Sequence, residues 1–149
     1  MTPGEIVEDF TLKDQHGNDF HLYDNLDRMV LLVFYPKDNS PVCTRQLKNY
    51  NLNLAEFEKS GIQVIGINPE SYNSHLSFCN SFGTGIKILS DGKKEIVKRF
   101  DALNIFGITK RKLILIGKDK RILFEKATPS FMYYNTGRII NELKKINII

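Results

Sequence analysis

Cys43 is the residue best placed for chemistry. It follows the loop Pro36-Lys37-Asp38-Asn39-Ser40-Pro41-Val42, which leaves the apolar run Met29–Tyr35, and a stretch of helical periodicity begins at it. A cysteine in the first turn of a helix meets free backbone N–H groups and the positive end of the helix dipole. Both favour thiolate over thiol, and the thiolate is the nucleophile. Ser40, three residues earlier, offers a hydroxyl that could donate to the sulfur or accept from a protonated substrate oxygen. Pro36 and Pro41 bracket the loop and stiffen it, and Pro36 is placed to shield the sulfur from bulk water. Such a site suits attack on a small oxidant better than the grip of a large substrate. The competing reading is a buried structural thiol, since free cysteine is among the most buried residue types.

Other candidates read less sharply from their residue types alone. Arg111, between Lys110 and Lys112, reads as part of a solvated basic patch. Cys79 is spaced with Leu76 and Phe82 at i, i+3, i+6, the stripe of a core-facing helix. His16, His21 and His75 are scattered, and two cysteines 36 positions apart give no zinc spacing. No metal or cofactor is therefore expected, and His75 is left to pair with its own helix or with solvent. The Gly-Lys at 117–118 is followed by Asp119, and position 112 is Lys, so the phosphate-binding loop pattern fails. No Cys-x-x-Cys occurs, which disfavours a disulfide exchanger. Phe131, Tyr133 and Tyr134 read as core cover or as a subunit contact.

The elements that position these residues follow from periodicity and punctuation. Asp9–Leu12 and Asp19–Leu22 alternate polar and apolar around the turn signal 14–18, which predicts an N-terminal hairpin. Met29–Tyr35 is apolar throughout, as in a strand buried on both faces, and Pro36 ends it. Leu47, Tyr50, Leu54 and Phe57 predict one helix over about 43–59, stopped by Gly61. Ile62–Ile67 is the next strand. Ser71 or Asn73 caps a helix to about Phe82. A strand at 87–89, a helix at 93–100, a hairpin of 113–116 with 122–125 and a helix at 136–145 complete the chain. Strands alternating with helices predict an α/β fold, a mixed central sheet with helices on both faces. Right-handed crossovers leave few arrangements, the thioredoxin-like fold among them.

Composition bounds the rest. The 149 residues fit one domain, 1–149, with a core of its own. Lys plus Arg is 21 against 17 for Asp plus Glu, a net charge of +4. That balance is far weaker than the basic stripe of a nucleic-acid binder. The longest apolar run, seven residues at 29–35, falls short of the roughly 20 a membrane helix needs. The opening MTPGEIVEDF carries Glu5, Glu8 and Asp9 rather than a basic start and an apolar stretch, so the expectation is a cytoplasmic protein. Thiols are normally kept reduced there.

Pro36, Ser40 and Cys43 match the Pro-x-x-x-Thr/Ser-x-x-Cys signature of the peroxiredoxins. The string FYPKDNSPVCT resembles the bacterioferritin comigratory protein subfamily, also called peroxiredoxin Q. The likeness extends from Gly4 to about Glu125, through Asp9-Phe10, Ser74-His75-Leu76-Ser77-Phe78 and Leu89-Ser90-Asp91. Arg111, beside the apolar run LILIG, resembles the family's essential arginine and displaces the basic-patch reading.

The resemblance implies an antioxidant thiol peroxidase that reduces hydrogen peroxide and organic hydroperoxides. Cys43 would be the peroxidatic cysteine, passing through a sulfenic acid. The Cys43 N–H, Ser40 hydroxyl and Arg111 guanidinium would stabilise the moving charge. Many subfamily members place a second cysteine five residues on, where this chain has Lys48. A subset places it on the next helix, so the resemblance assigns Cys79 as the resolving cysteine in a Cys43–Cys79 disulfide, recycled by thioredoxin or a similar dithiol. Bridging two helices demands Cα atoms within about 7 Å, so the first turn after Cys43 and the Cys79 helix are expected to unwind. A monomer is expected in preference to a dimer. Three alternatives stay open: Cys79 as a core thiol in a one-cysteine peroxidase, a peroxide-responsive sensor, and a structural, holdase-like role.

Overall fold

The strand Met29–Phe34 (β3) is buried over almost its whole length, and its alternation explains why. Leu31 and Val33 join one apolar cluster with Leu47, Phe57, Phe78 and Leu143. Val30, Leu32 and Phe34 join a second with Phe10, Ile96, Val97 and Phe100. A strand that serves two cores has no polar face to show.

A computed structural model describes residues 2–149. It places β3 inside a seven-stranded mixed sheet of order β2-β1-β5-β4-β3-β6-β7. The other strands are β1 (Thr11–Lys13), β2 (Asp19–His21), β4 (Ile62–Asn68), β5 (Lys87–Ser90), β6 (Arg111–Ile116) and β7 (Ile122–Thr128). β3, β4 and β5 run parallel. The β6–β7 hairpin joins β3 antiparallel, and the N-terminal β1–β2 hairpin joins β5 antiparallel. Helices α1 (Pro41–Leu52), α2 (Leu54–Lys59), α3 (Tyr72–Phe82) and α5 (Thr136–Lys145) feed the first cluster, and α4 (Glu95–Arg99) feeds the second. Helices thus cover both faces, as the strand and helix order predicts. None of the described helices is long and apolar enough to cross a membrane.

Three local differences from the sequence reading matter for the site. The helix predicted from Cys43 begins two residues earlier, with Ser40 as N-cap and Pro41 in its first turn. That start suits proline, whose missing N–H would have found no partner there. The helix predicted to reach Lys59 breaks at Asn53, whose side chain donates to the Asn49 carbonyl at 2.7 Å. Asparagine competes for backbone groups in this way and so interrupts helices. Arg111 is the first residue of β6 rather than a residue before it.

Candidate functional site

The parallel strands β3 and β4 end at one edge of the sheet, where the 35–40 loop feeds α1. Cys43 is the third residue of α1, in the first turn, where backbone N–H groups have no partner inside the helix. Its side chain is buried, 1% exposed, so only a small reactant reaches it. Across the sheet edge Arg111 is 3% exposed and donates from Nη2 to the Cys43 sulfur at 3.3 Å. The guanidinium and the helix N-terminus both stabilise negative charge on that sulfur.

Arg111 is held by a directed set of bonds. Its Nη1 donates to Gln46 Oε1 at 2.6 Å, and Nη2 also donates to the Ser130 carbonyl at 3.0 Å. Gln46 Nε2 donates to the Tyr50 hydroxyl at 3.0 Å, which donates to the Tyr134 carbonyl at 2.6 Å. Burial raises the Tyr50 phenol above its ordinary range, which keeps it a donor. Gln46 lies one turn after Cys43 on the same face of α1. Arg111 Nε is buried and has no hydrogen-bond partner among the described residues. Beside it a cavity of about 390 Å³ is lined by Pro36, Ile108, Thr109, Arg111, Thr128 and Ser130. A larger cavity of about 640 Å³, between β1 and the start of α3, contains neither cysteine.

Several expectations need correction. Ser40 does not donate to the sulfur; its hydroxyl donates to the Lys37 carbonyl at 3.1 Å and steadies the loop. Arg111, whose basic-patch reading the family resemblance had already displaced, is buried, and so is its neighbour Lys112, its ammonium on the Phe100 carbonyl at 2.8 Å. The buried stripe of α3 is His75, Phe78 and Cys79, with Leu76 only half-buried. Tyr134 covers the core as expected, whereas Phe131 is exposed.

His75, given no role by its sequence context, is fully buried. Its Nδ1 lies 2.6 Å from Asp38 Oδ2 and its Nε2 lies 3.1 Å from the Leu89 carbonyl. Asp38 also accepts from the Tyr35 hydroxyl at 2.6 Å, Ser74 Oγ at 2.7 Å and Asn68 Nδ2 at 3.3 Å. Burial alone would push the Asp38 carboxyl up; His75, Tyr35 and Ser74 outweigh it and hold the group below its ordinary range. Burial, then the Asp38 charge, drive the Tyr35 phenol well up, so it remains a donor. Cys79 shares the apolar cluster of Cys43, and both are free thiols. Burial, and after it the Asp38 carboxylate, push the Cys79 thiol up to about 12.

The sequence profile of the AhpC/TSA family matches residues 3–124. A bcp peroxiredoxin relative from Helicobacter pylori is 35% identical over 99 residues, 66% of this chain and 65% of the relative's length. Peroxiredoxin Bcp from Xanthomonas campestris is 27% identical over 144 residues, 94% of this chain and 81% of that protein. A Xylella fastidiosa PrxQ mutant superposes with a TM-score of 0.87 at 26% identity, covering 99% of this chain and 98% of that one. Together with the sheet order, this establishes the thioredoxin-like fold of the peroxiredoxins.

Proposed function

The chain belongs to the AhpC/TSA family, and from that premise we propose that it is a thiol peroxidase acting on hydrogen peroxide and organic hydroperoxides. The observation that carries the reading is the Arg111 guanidinium 3.3 Å from the Cys43 sulfur, at the first turn of α1. The Cys43 thiolate attacks one peroxide oxygen, and the O–O bond breaks. The other oxygen leaves with the electron pair, takes a proton and departs as water or alcohol, leaving Cys43 as sulfenic acid. Negative charge moves from sulfur to the leaving oxygen, and Arg111 with the Cys43 N–H is preorganised to follow it. Gln46 and the Ser130 carbonyl keep the guanidinium fork in place.

Cys79 then resolves the sulfenic acid. Its sulfur attacks the Cys43 sulfur, the S–O bond breaks, water leaves and a disulfide forms. A thioredoxin-type dithiol reduces that disulfide, and the working unit is a monomer, which sedimentation in both redox states tests. One equivalent of peroxide should remove two hydrogens from the mass of the wild-type chain. Cys79→Ser should gain one oxygen instead. Sustained peroxide consumption with thioredoxin and its reductase is expected. A single stoichiometric oxidation would overturn the peroxidase reading in favour of a sensor. One observation favours a second reading, in which an external thiol resolves Cys43: Cys79 is packed in the core, 4% exposed. Full thioredoxin-dependent turnover by Cys79→Ser would select it.

A further inference from the structure

α3 is fastened in two different ways along its length. Its second half packs by apolar contact, Phe78 against Tyr35 and Phe82 with ring centroids 6.2 and 5.1 Å apart. Its first half is fastened by a buried polar cluster. His75, on α3, joins Asp38 of the loop before Cys43 and the Leu89 carbonyl of β5, and Ser74 adds a second bond to Asp38. The His75 and Asp38 side chains are both fully buried. A buried carboxylate is costly to leave without the groups that hydrogen-bond it, so pulling its partner away is costly. Such a pair fixes one arrangement of the segments it joins. Those segments are the loop that leads to Cys43 and the helix that carries Cys79, with His75 one turn before Cys79.

We infer that the Asp38–His75 pair is a latch that sets how fast oxidised Cys43 is joined to Cys79, and thereby how readily Cys43 is over-oxidised. The inference rests on the proposed resolving role of Cys79. Two reactions compete for the Cys43 sulfenic acid. In one, the Cys79 thiol loses its proton, its sulfur displaces hydroxide from Cys43, and the proton and hydroxide leave as water. In the other, a second peroxide gives one oxygen to the sulfenate, forming sulfinic acid and releasing water or alcohol. The first needs α3 to open; the second needs only another peroxide in the intact site. While the latch holds, Cys79 stays in the apolar cluster, where burial and the Asp38 charge keep the proton on its thiol. Releasing the latch frees the first half of α3 and removes that carboxylate from Cys79. His75 therefore acts through α3 as a positioning residue and touches neither the peroxide nor Cys43.

The test uses the full chain as wild type, His75→Phe and His75→Asn, each also with Cys79→Ser. Samples mixed with hydrogen peroxide are quenched at intervals with acid and a thiol-blocking reagent, and weighed for disulfide and sulfinic acid. His75→Phe should form the Cys43–Cys79 bond about ten- to a hundredfold faster, the scale of a lost hydrogen bond to a charged group. Its peroxide concentration for half-conversion to sulfinic acid should rise in proportion. His75→Asn, whose carboxamide can donate to Asp38, should return most of the way to wild type. With Cys79→Ser the difference between His75 variants should vanish. A His75→Phe rate equal to or slower than wild type, in folded protein, overturns the latch while leaving Cys79 as resolver. A wild type that forms no such bond overturns the resolving role and the latch with it. Should His75→Phe fail to fold, Asp38→Asn weakens the same pair from its other side; a rise of about threefold supports the latch, and an unchanged rate overturns it.

Discussion

Cys43 and Cys79 lie in one apolar cluster, 1% and 4% exposed, yet their surroundings have opposite sign. Cys43 stands in the first turn of α1, with the Arg111 guanidinium 3.3 Å away. Cys79 stands in the last turn of α3, where its carbonyl accepts from Gly83 N at 2.8 Å. That is the negative end of a helix, and the Asp38 carboxylate adds to it. Burial is common to both sulfurs, so burial does not assign their roles. The local field differs in direction, with a cation and a helix N-terminus at Cys43 and a carboxylate and a helix C-terminus at Cys79, which fits the roles proposed for them.

The contrast breaks most completely at Cys43. Cys43→Ser should show no peroxide turnover above background, since an unactivated hydroxyl is a weak nucleophile. Residual turnover in that variant would place the chemistry on another residue. Next is the cation. Arg111→Met should lower the second-order rate with peroxide by about 10²–10³-fold, the usual loss for a donor aimed at developing charge. Arg111→Lys should recover little, because one ammonium cannot bond Gln46, Ser130 and the sulfur together in one plane. Single-turnover kinetics under excess peroxide checks both. An Arg111→Met rate equal to wild type would leave the two thiols without the distinction drawn between them.

Gln46 sharpens the same contrast at smaller cost. Gln46→Ala removes the Nη1 acceptor at 2.6 Å but leaves the Ser130 carbonyl on Nη2. The guanidinium should keep its charge and lose part of its orientation. A loss of about tenfold in the peroxide step is expected; Gln46→Glu keeps an acceptor for Nη1 but loses the Nε2 donor to the Tyr50 hydroxyl, so it should recover only part of that loss.

What was legible in the sequence divides along the same line. Strands and helices were readable because their signals are local: the apolar run 29–35, the Gly61 stop, and the Ser71 cap offered beside Asn73. Cys43 was readable because its loop and its helix are adjacent in the chain. Gln46 was within reach, since a polar residue three positions after Cys43 shares its face of α1. The Asp38–His75 pair was not legible. The partners lie 37 residues apart and meet only because β3 and β4 are parallel neighbours, with the loop after each at one edge. Nothing in the local setting of His75 distinguishes a buried hydrogen-bond partner from a surface residue. Ser40 misled because its hydroxyl donates to the Lys37 carbonyl three residues back, a local backbone bond that serine readily forms.

The finest test of the contrast is the alkaline stability of the fold. The Cys79 thiol keeps its proton in the folded chain up to about 12, whereas its ordinary value is 9.0. Below pH 9 both folded and unfolded chains hold the proton, and the group's full contribution to stability is present. Above pH 9 the unfolded chain binds fewer protons than the folded one, so stability falls as pH rises, and the loss ends only near 12. Between pH 9 and 10 one such group costs about 1 kcal/mol. Cys79→Ser has no thiol to titrate at that position, while every other group is shared between the two proteins. Urea unfolding of wild type and Cys79→Ser at pH 7, 8, 9 and 10 isolates the effect. Wild type should lose about 1 kcal/mol relative to the variant between pH 9 and 10, and nothing between 7 and 8. A difference that stays constant to pH 10 would mean that Cys79 ionises inside the fold at its ordinary value. Neither burial nor the Asp38 carboxylate would then hold the proton on it, and the two sulfurs would differ only in having or lacking a guanidinium neighbour.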